Sequence, residues 1–260
     1  MQLTLEQVKQ AAKREDFRAG VQMRILMPRL SVRITRWVVA HTALSPNHIT
    51  LISFAVGLAA VAAFASTNAW IVLLGLLGFH LHVLLDYVDG EVARVRNQMS
   101  VRGAYFDLIT DRITFPLFIF CSGLGAYFQL GRPELLIAAF AATFGLFLDK
   151  EVTDCWYRAN VGKVEELEDR YVEAPDRSGA RRWRGRLKLA VVMSRGLTAF
   201  LTYVCVAAFL DMVTTFPIPA IGSYRALVLW AFAPIMPAGA FVRFLYVYHR
   251  GAIPRRQQLL

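Results

Sequence analysis

Four aspartates lie within 26 residues of this chain, between two strongly apolar runs: Asp86, Asp89, Asp107 and Asp111. An ionised carboxylate at membrane depth costs about 3 kcal/mol on insertion scales, so four of them need compensating positive charge. Arg94 and Arg112 supply at most two charges, and a purely structural ion-pair network with them is the alternative. Divalent cations fit the number of carboxylates better, because Mg²⁺ and Mn²⁺ prefer oxygen ligands. Such sites keep positions for substrate phosphates, so the pattern favours phosphoryl chemistry.

The composition indicates an integral membrane protein of the all-α class. Hydrophobic residues make up 56% of the 260 and the mean hydropathy is +0.43, whereas soluble domains are roughly 45 to 50% apolar. Apolar runs predict six transmembrane helices, at about 46–66, 69–94, 104–127, 135–157, 189–213 and 224–249. Arginines and apolar residues recur at helical spacing over 24–44, which predicts an amphipathic interfacial helix in front of them. We expect a juxtamembrane segment at 1–45, one membrane domain at 46–250 and a tail at 251–260.

Basic residues are distributed unevenly between the two ends of the predicted spans. Of the 29 lysines and arginines, 24 lie before the first span, after the second and fourth, or in the tail. The opposite side has only Arg132 and Arg225. The positive-inside rule therefore predicts a multi-pass protein with both termini in the cytoplasm. Orientation and contact with the lipid bilayer account for the net charge of +10, so we expect no nucleic-acid partner. Basic residues interrupt the first 36 residues, so we also expect no signal peptide.

The predicted spans bring the two aspartate pairs to a similar depth. Asp86 lies about 25 Å from the outer face of a core about 30 Å thick, and Asp107 and Asp111 lie about 6 and 12 Å from the cytoplasmic face. Each pair shares one helix face, at spacings of three and four residues. Two adjacent helices are thus expected to direct four carboxylates to one point near the cytoplasm. His82 precedes Asp86 by four residues and could donate a hydrogen bond to it, although a packed histidine is the simpler interpretation.

The motif Asp86-x2-Asp89-Gly90-x2-Ala93-Arg94-x8-Gly103-x3-Asp107-x3-Asp111 resembles the full signature of the CDP-alcohol phosphotransferase family. Upstream, Pro46, Asn47 and Thr50 resemble the family's Pro-Asn-x-x-Thr element. The resemblance implies an enzyme of membrane phospholipid synthesis that transfers a phosphoalcohol group from a CDP-linked donor to an alcohol and releases CMP. It also favours a homodimer, and the small residues Ser122, Gly123 and Gly125 could form a close helix contact.

The resemblance also implies a role for each residue of the motif. Asp86, Asp89, Asp107 and Asp111 would hold two Mg²⁺ or Mn²⁺ ions, and Asp111 would in addition act as general base for the acceptor hydroxyl. The implied nucleotide and donor contacts are Asn47, Thr50, Gly90, Ala93, Arg94 and Gly103. Basic residues in the later helices could bind an anionic acceptor, although snorkelling explains them equally well: Lys150, Arg158, Arg195 and Arg243. No motif residue is an obvious covalent nucleophile, so we expect direct displacement.

Several functions remain open from the sequence alone. We favour CDP-diacylglycerol as the donor because the chain is short and basic, and a soluble donor such as CDP-choline or CDP-ethanolamine with a lipid alcohol is the alternative. An aspartate-rich membrane prenyltransferase would also bind pyrophosphate through Mg²⁺, but enzymes of that class lack the Gly-x2-Ala-Arg element that this chain contains. A divalent-cation transporter would need acidic residues across the bilayer, and here they cluster near one face. The three cysteines show no CxxC spacing, and we expect no disulfide.

Overall fold

A computed structural model of the protein describes Glu6, Val8, Gln10 and the ranges 27–159, 197–213 and 221–250. These ranges form helices and contain no strand, which confirms the all-helical prediction for this part of the chain. In chain order the helices are α1 (Met27–His41), α2 (Pro46–Phe64), α3 (Ala69–Val95), α4 (Val101–Leu130), α5 (Glu134–Ala159), α6 (Leu197–Val213) and α7 (Tyr224–Arg250).

Four of these helices are long and apolar enough to cross a membrane: α2, α3, α4 and α7 over 224–249. The protein is therefore an integral membrane protein with four candidate spans in its described part, against six predicted from the sequence. In α5, the consecutive charged residues Asp149, Lys150 and Glu151 fall within every 18-residue stretch of the helix. The described part of α6 has 17 residues, and the beginning of the predicted fifth span, 189–196, lies outside the described residues.

Helix α4 extends three residues beyond the predicted span at each end. Its N-cap is Ser100, whose hydroxyl accepts a hydrogen bond from the Gly103 backbone N–H at 3.0 Å. Its C-terminus is closed by Gly131, which has a φ of 66° and donates its N–H to the Tyr127 carbonyl at 2.7 Å. The apolar pattern reveals neither the serine N-cap nor the glycine C-cap. The N-cap at Ser100 places Gly103 inside the helix.

The first compact unit comprises Met1–Gly131 and contains α1 to α4. Helix α2 packs against α3 and α4, and α1 packs against α3. Gly75 allows the close approach of α2 and α3, because a Cβ there would lie 2.8 Å from the Ala63 Cβ and 3.0 Å from the Ala60 carbonyl oxygen. The small residues proposed for a helix contact in α4 are buried: Ser122, Gly123 and Gly125.

The second compact unit comprises Arg132–Leu260 and contains α5 to α7. Helix α7 packs against α5 and α6. Asp211 in α6 accepts hydrogen bonds from the backbone N–H groups of Tyr224 at 2.7 Å and Arg225 at 3.2 Å, and it also pairs with the Arg225 guanidinium at 3.5 Å. One carboxylate therefore fixes the beginning of α7.

We expect replacement of Gly75 by leucine to destabilise the first unit, because the added side chain collides with the α2 backbone. Overpacking of this kind typically costs about 1 to 3 kcal/mol of unfolding free energy. Thermal unfolding in detergent measures the effect, and Leu74→Ala is the control because Leu74 is 67% exposed on the same helix. Equal melting temperatures for both variants would show that α2 and α3 do not approach as closely as described.

Candidate active site

Helices α3 and α4 bring three of the four predicted carboxylates together. One carboxylate oxygen each from Asp86, Asp89 and Asp107 lies within 4.8 Å of the other two. We call these residues the aspartate trio. Asp89 is 5% exposed, whereas Asp86 and Asp107 are half-buried. The trio lies on the helix faces that the spacing of the motif predicted.

The fourth carboxylate, Asp111, lies one helical turn beyond Asp107 and outside the trio. It is close enough to Asp86 and Asp89 to interact with both electrostatically. The structure thus distinguishes three mutually close carboxylates from a fourth that is near them. Asp111 thus lies beside the trio on the same helix as Asp107.

The chemistry of the trio fits a divalent cation. The donor set consists of carboxylate oxygens, which are the preferred ligands of hard cations. Oxygens on opposite sides of such a cation are about 4 to 5 Å apart, given metal–oxygen distances of about 2.0 to 2.6 Å. In addition, Oδ1 of Asp107 is buried and has no hydrogen-bond partner among the described residues. A buried oxygen without a donor needs an explanation, and a cation would provide one.

Thr50 holds one member of the trio. The Thr50 side chain is buried at the beginning of α2, and its hydroxyl donates a hydrogen bond to Oδ2 of Asp89 at 2.5 Å. A longer contact joins the same hydroxyl to the Pro46 carbonyl at 3.2 Å. The sequence identified Thr50 only as an implied nucleotide contact, because helical periodicity does not show which residue of another helix a hydroxyl will meet.

The two motif glycines make room for polar side chains. A Cβ at Gly90 would lie 3.3 Å from Nη1 of Arg94, so the arginine side chain lies over the bare backbone one turn earlier. A Cβ at Gly103 would lie 3.1 Å from Oδ1 of Asn47, so the beginning of α2 meets the beginning of α4 there. Asn47, Thr50, Gly103 and the trio consequently lie in one region of the first unit, and Ala93 is half-buried on α3.

Within the described part of the chain His82 forms no hydrogen bond with Asp86, and the alternative of a hydrogen bond between them is therefore wrong. Its Nδ1 lies 2.8 Å from the Ser53 hydroxyl and 3.0 Å from the Ser53 carbonyl oxygen. A Cβ at Gly57 would lie 2.9 Å from the imidazole, which shows how closely α2 covers this side chain. The sequence missed Ser53 as the partner because it lies on a different helix.

The candidate acceptor-binding residues belong to the second unit. Arg243 forms an ion pair with Asp149 at 2.7 Å, and its Nη1 donates to the Thr153 hydroxyl at 3.1 Å. On α5, Lys150 is half-buried and Arg158 is exposed. Arg195 lies outside the described residues. The ion pair with Asp149 is a structural role for Arg243 that the sequence did not indicate.

Comparison with known proteins identifies the family. Residues 43–245 match the family model described as CDP-alcohol phosphatidyltransferase. The chain belongs to this family. The match does not support the prenyltransferase or transporter alternative. The aspartate motif lies inside the matched range.

Two curated relatives are each named "Bifunctional IPC transferase and DIPP synthase". The protein from Archaeoglobus fulgidus is 35% identical over 145 residues, which cover 55% of this chain and 27% of the relative. The protein from Thermococcus kodakarensis is 31% identical over 126 residues, covering 48% of this chain and 27% of the relative. The chain thus spans little more than a quarter of the length of these members of the family.

Solved structures of a protein from Mycobacterium tuberculosis show a similar fold. The phosphatidylinositol phosphate synthase of Mycobacterium tuberculosis with CDP-DAG bound superimposes with a TM-score of 0.60 at 17% identity, covering 87% of this chain and 98% of the other. The same protein in complex with manganese and citrate gives a TM-score of 0.59 at 18% identity, covering 86% and 92%. The family fold thus extends over most of the chain.

We expect Thr50→Val to weaken metal binding while Thr50→Ser preserves it, because only serine retains the hydroxyl that orients Asp89. Loss of such a supporting contact typically costs about 10- to 100-fold in metal affinity. Electron paramagnetic resonance of Mn²⁺ measures binding directly, and Thr143→Val is the control because that hydroxyl bonds only its own helix, at Ala139. Unchanged Mn²⁺ binding with weaker CDP binding would instead support the nucleotide contact.

Proposed function

We propose that the protein transfers a phosphatidyl group from CDP-diacylglycerol to the hydroxyl of an alcohol acceptor and releases CMP. The observation that carries this proposal is the aspartate trio, set in the family's spacing on two adjacent helices with Asp111 one turn beyond. The lipid donor is supported by the CDP-DAG bound to a neighbour of the same fold. The proposal assigns the acceptor to the class of alcohols and to no particular compound.

The trio and Asp111 are proposed to hold two Mg²⁺ or Mn²⁺ ions. When bound, the ions supply positive charge that neutralises the donor pyrophosphate and the leaving CMP. The residues of the chain fix where that charge lies. Thr50 orients Asp89, and the rigid helices α3 and α4 keep Asp86 and Asp107 at a set separation.

Binding of the donor is assigned to the residues around the trio. Arg94 is assigned to the phosphates, since its guanidinium lies beside Gly90, which directly follows Asp89 of the trio. Asn47, Thr50, Gly90, Ala93 and Gly103 border the nucleotide. Lys150, Arg158, Arg195 and Arg243 remain candidates for the acceptor, and Arg243 would have to share its guanidinium with Asp149.

The chemical step is a direct displacement. The acceptor oxygen forms a bond to the phosphorus of the phosphatidyl group, and the bond from that phosphorus to the oxygen of CMP breaks. The hydroxyl proton passes to Asp111, whose position outside the trio suits a general base. No covalent intermediate on the protein is required.

The proposal places the reaction at the cytoplasmic face of a homodimer with six spans per protomer. The uneven distribution of basic residues supports the orientation. Membership of the family supports the dimer and the spans at 135–157 and 189–213. Within this arrangement α1 is the interfacial helix of the juxtamembrane segment.

Purified protein incubated with CDP-diacylglycerol and a panel of soluble alcohols tests the reaction. CMP release should depend on one acceptor class and on Mg²⁺ or Mn²⁺, and excess EDTA should abolish it. A parallel panel combines CDP-choline or CDP-ethanolamine with lipid alcohols. Turnover only in the second panel would overturn the donor assignment, and full turnover in EDTA would overturn the metal assignment.

Asp111→Asn should separate chemistry from donor binding. Asparagine keeps the shape of the side chain but cannot accept the proton, so the rate should fall by about 10² to 10⁴ while donor affinity changes little. Asp86→Asn, which alters the trio itself, should weaken Mn²⁺ and donor binding together. Turnover and CDP-diacylglycerol affinity are measured for both variants. The base assignment is wrong if Asp111→Asn turns over normally or loses donor binding as severely as Asp86→Asn.

Single cysteines at Gln98 and Thr67 should show opposite accessibility. Gln98 is exposed in the connection between α3 and α4, and Thr67 is exposed between α2 and α3. In sealed vesicles of known orientation, an impermeant thiol reagent should label Gln98→Cys only from the cytoplasmic side. The same reagent should label Thr67→Cys only from the opposite side. The background needs serine at Cys121, Cys155 and Cys205. Labelling of Gln98→Cys from the opposite side alone would invert the proposed orientation.

A further inference from the structure

Glu91 is a buried carboxylate that the proposed reaction does not use. It lies in α3 two residues after Asp89 and three before Arg94, at a position that the family motif leaves variable. The residue is 5% exposed. Burial of an ionised group is unfavourable unless polar partners replace water, so its retention here needs a reason.

Helix α1 supplies those partners. The Ser31 hydroxyl donates to Oε1 of Glu91 at 2.6 Å, and the Thr35 hydroxyl donates to Oε2 at 2.6 Å. Both hydroxyl residues are fully buried, and their spacing of four residues puts them on one face of α1. Each oxygen of the carboxylate thus has its own donor. We call this three-residue contact the Glu91 clamp.

Two further contacts fix α1 against the same helix. Arg96, just after the end of α3, donates to the carbonyls of Leu44 at 2.5 Å and Thr42 at 2.7 Å, and to the Val38 carbonyl at 3.3 Å. The Thr42 and Leu44 carbonyls lie beyond the C-terminal end of α1, and the Val38 carbonyl in its last turn also accepts from the Thr42 backbone N–H at 3.0 Å. Val88 and Val92 of α3 also pack in one buried cluster with Val38.

The clamp and Thr50 hold α3 on different faces. Successive residues of a helix are rotated by about 100°, so Asp89 and Glu91 point about 200° apart. Thr50 of α2 contacts Asp89, and α1 contacts Glu91. Hydrogen bonds to both carboxylate oxygens are directional, whereas valine contacts alone would allow the helix to rotate.

A small rotation of α3 would disturb the metal site. At a side-chain radius of about 6 Å, a rotation of about 10° displaces a carboxylate by about 1 Å. Displacements of this size at a reacting centre can reduce rate by about 10²-fold. The rotational setting of α3 therefore has a measurable consequence for the trio.

We propose that Glu91 is a positioning residue that, through Ser31 and Thr35, uses α1 to fix the rotation of α3 and thereby the geometry of Asp86 and Asp89. The proposal rests on the proposed function, since it assigns the trio to metal binding. It makes the juxtamembrane helix part of the catalytic apparatus and not only a membrane anchor. Glu91 itself touches no reacting atom.

The decisive variant replaces the whole clamp with apolar residues: Ser31→Ala, Thr35→Val and Glu91→Leu together. Exchange of all buried polar partners for apolar groups is often neutral for stability, so this variant should fold. Its Mn²⁺ dissociation constant, measured by electron paramagnetic resonance on the purified full chain, should rise about 10- to 100-fold. Wild-type Mn²⁺ affinity in the folded triple variant would overturn the proposal, because the clamp would then be only structural.

Glu91→Gln distinguishes positioning from charge. Glutamine retains two polar atoms that can bond the same hydroxyls, so Mn²⁺ affinity should stay within about threefold of wild type, well inside the loss expected for an absent supporting contact. A loss as large as that of the triple variant would instead mean that the negative charge of Glu91 attracts the cation, and the positioning role would be wrong. Asp211→Ala, in the second unit, controls for a general loss of stability.

Two single variants keep the test available if the triple variant does not fold. Ser31→Ala and Thr35→Val each leave one donor, and each should raise the Mn²⁺ dissociation constant; unchanged affinity in both overturns the proposal. Mn²⁺ binding requires neither donor nor acceptor. A wild-type protein that binds Mn²⁺ but releases no CMP would therefore contradict the proposed function and leave the result for Glu91 unaffected.

Discussion

Mutual repulsion among carboxylates is the physical constraint on which the structure of the first unit depends. Three acidic groups whose oxygens lie within 4.8 Å of one another would separate if their backbones could move. They remain together because they project from two helices whose main chains cannot yield locally. Helix α2 contacts both of them, because Gly75 of α3 lies against Ala60 and Ala63, and Gly103 of α4 lies against Asn47. Binding of a cation would offset the electrostatic repulsion among these carboxylates.

Short-range and long-range features of the site differed in how far the sequence could predict them. The shared face of Asp86 and Asp89 follows from their spacing of three residues in an α-helix, whereas the approach of Asp107 depends on how α3 and α4 are placed. The partners of Asp89, Glu91 and His82 all lie on other helices. Which residues meet across helices depends on the rotation and axial shift of each one, and apolar periodicity determines neither to the precision that a hydrogen bond requires.

The sequence also predicted some helix boundaries better than others. Apolar runs predicted α2 and α3 to within two residues, whereas α4 extends three residues further at each end, to caps at Ser100 and Gly131 that an apolar pattern does not mark. Hydropathy also treated α5 as an ordinary span. The charged residues toward its C-terminal end include Asp149, which is neutralised by Arg243 and is therefore less costly than its charge suggests. Such pairing cannot be read from one segment of sequence, because the compensating residue lies almost a hundred positions away.

The carboxylates of the two units have different kinds of partner. In the second unit, Asp149 and Asp211 pair with Arg243 and Arg225, so each acid meets a positive charge supplied by the chain. In the first unit, the Asp89 carboxylate accepts a hydrogen bond from the Thr50 hydroxyl. A guanidinium would orient a carboxylate and also neutralise it, and a bound metal would then have to compete with that charge. A hydroxyl fixes the direction of the carboxylate while its full negative charge remains for the cation. The hydroxyl donor at Asp89 therefore suits a metal ligand, and the hydroxyl donors at Glu91 serve positioning in the same way, because each carboxylate is given a fixed direction.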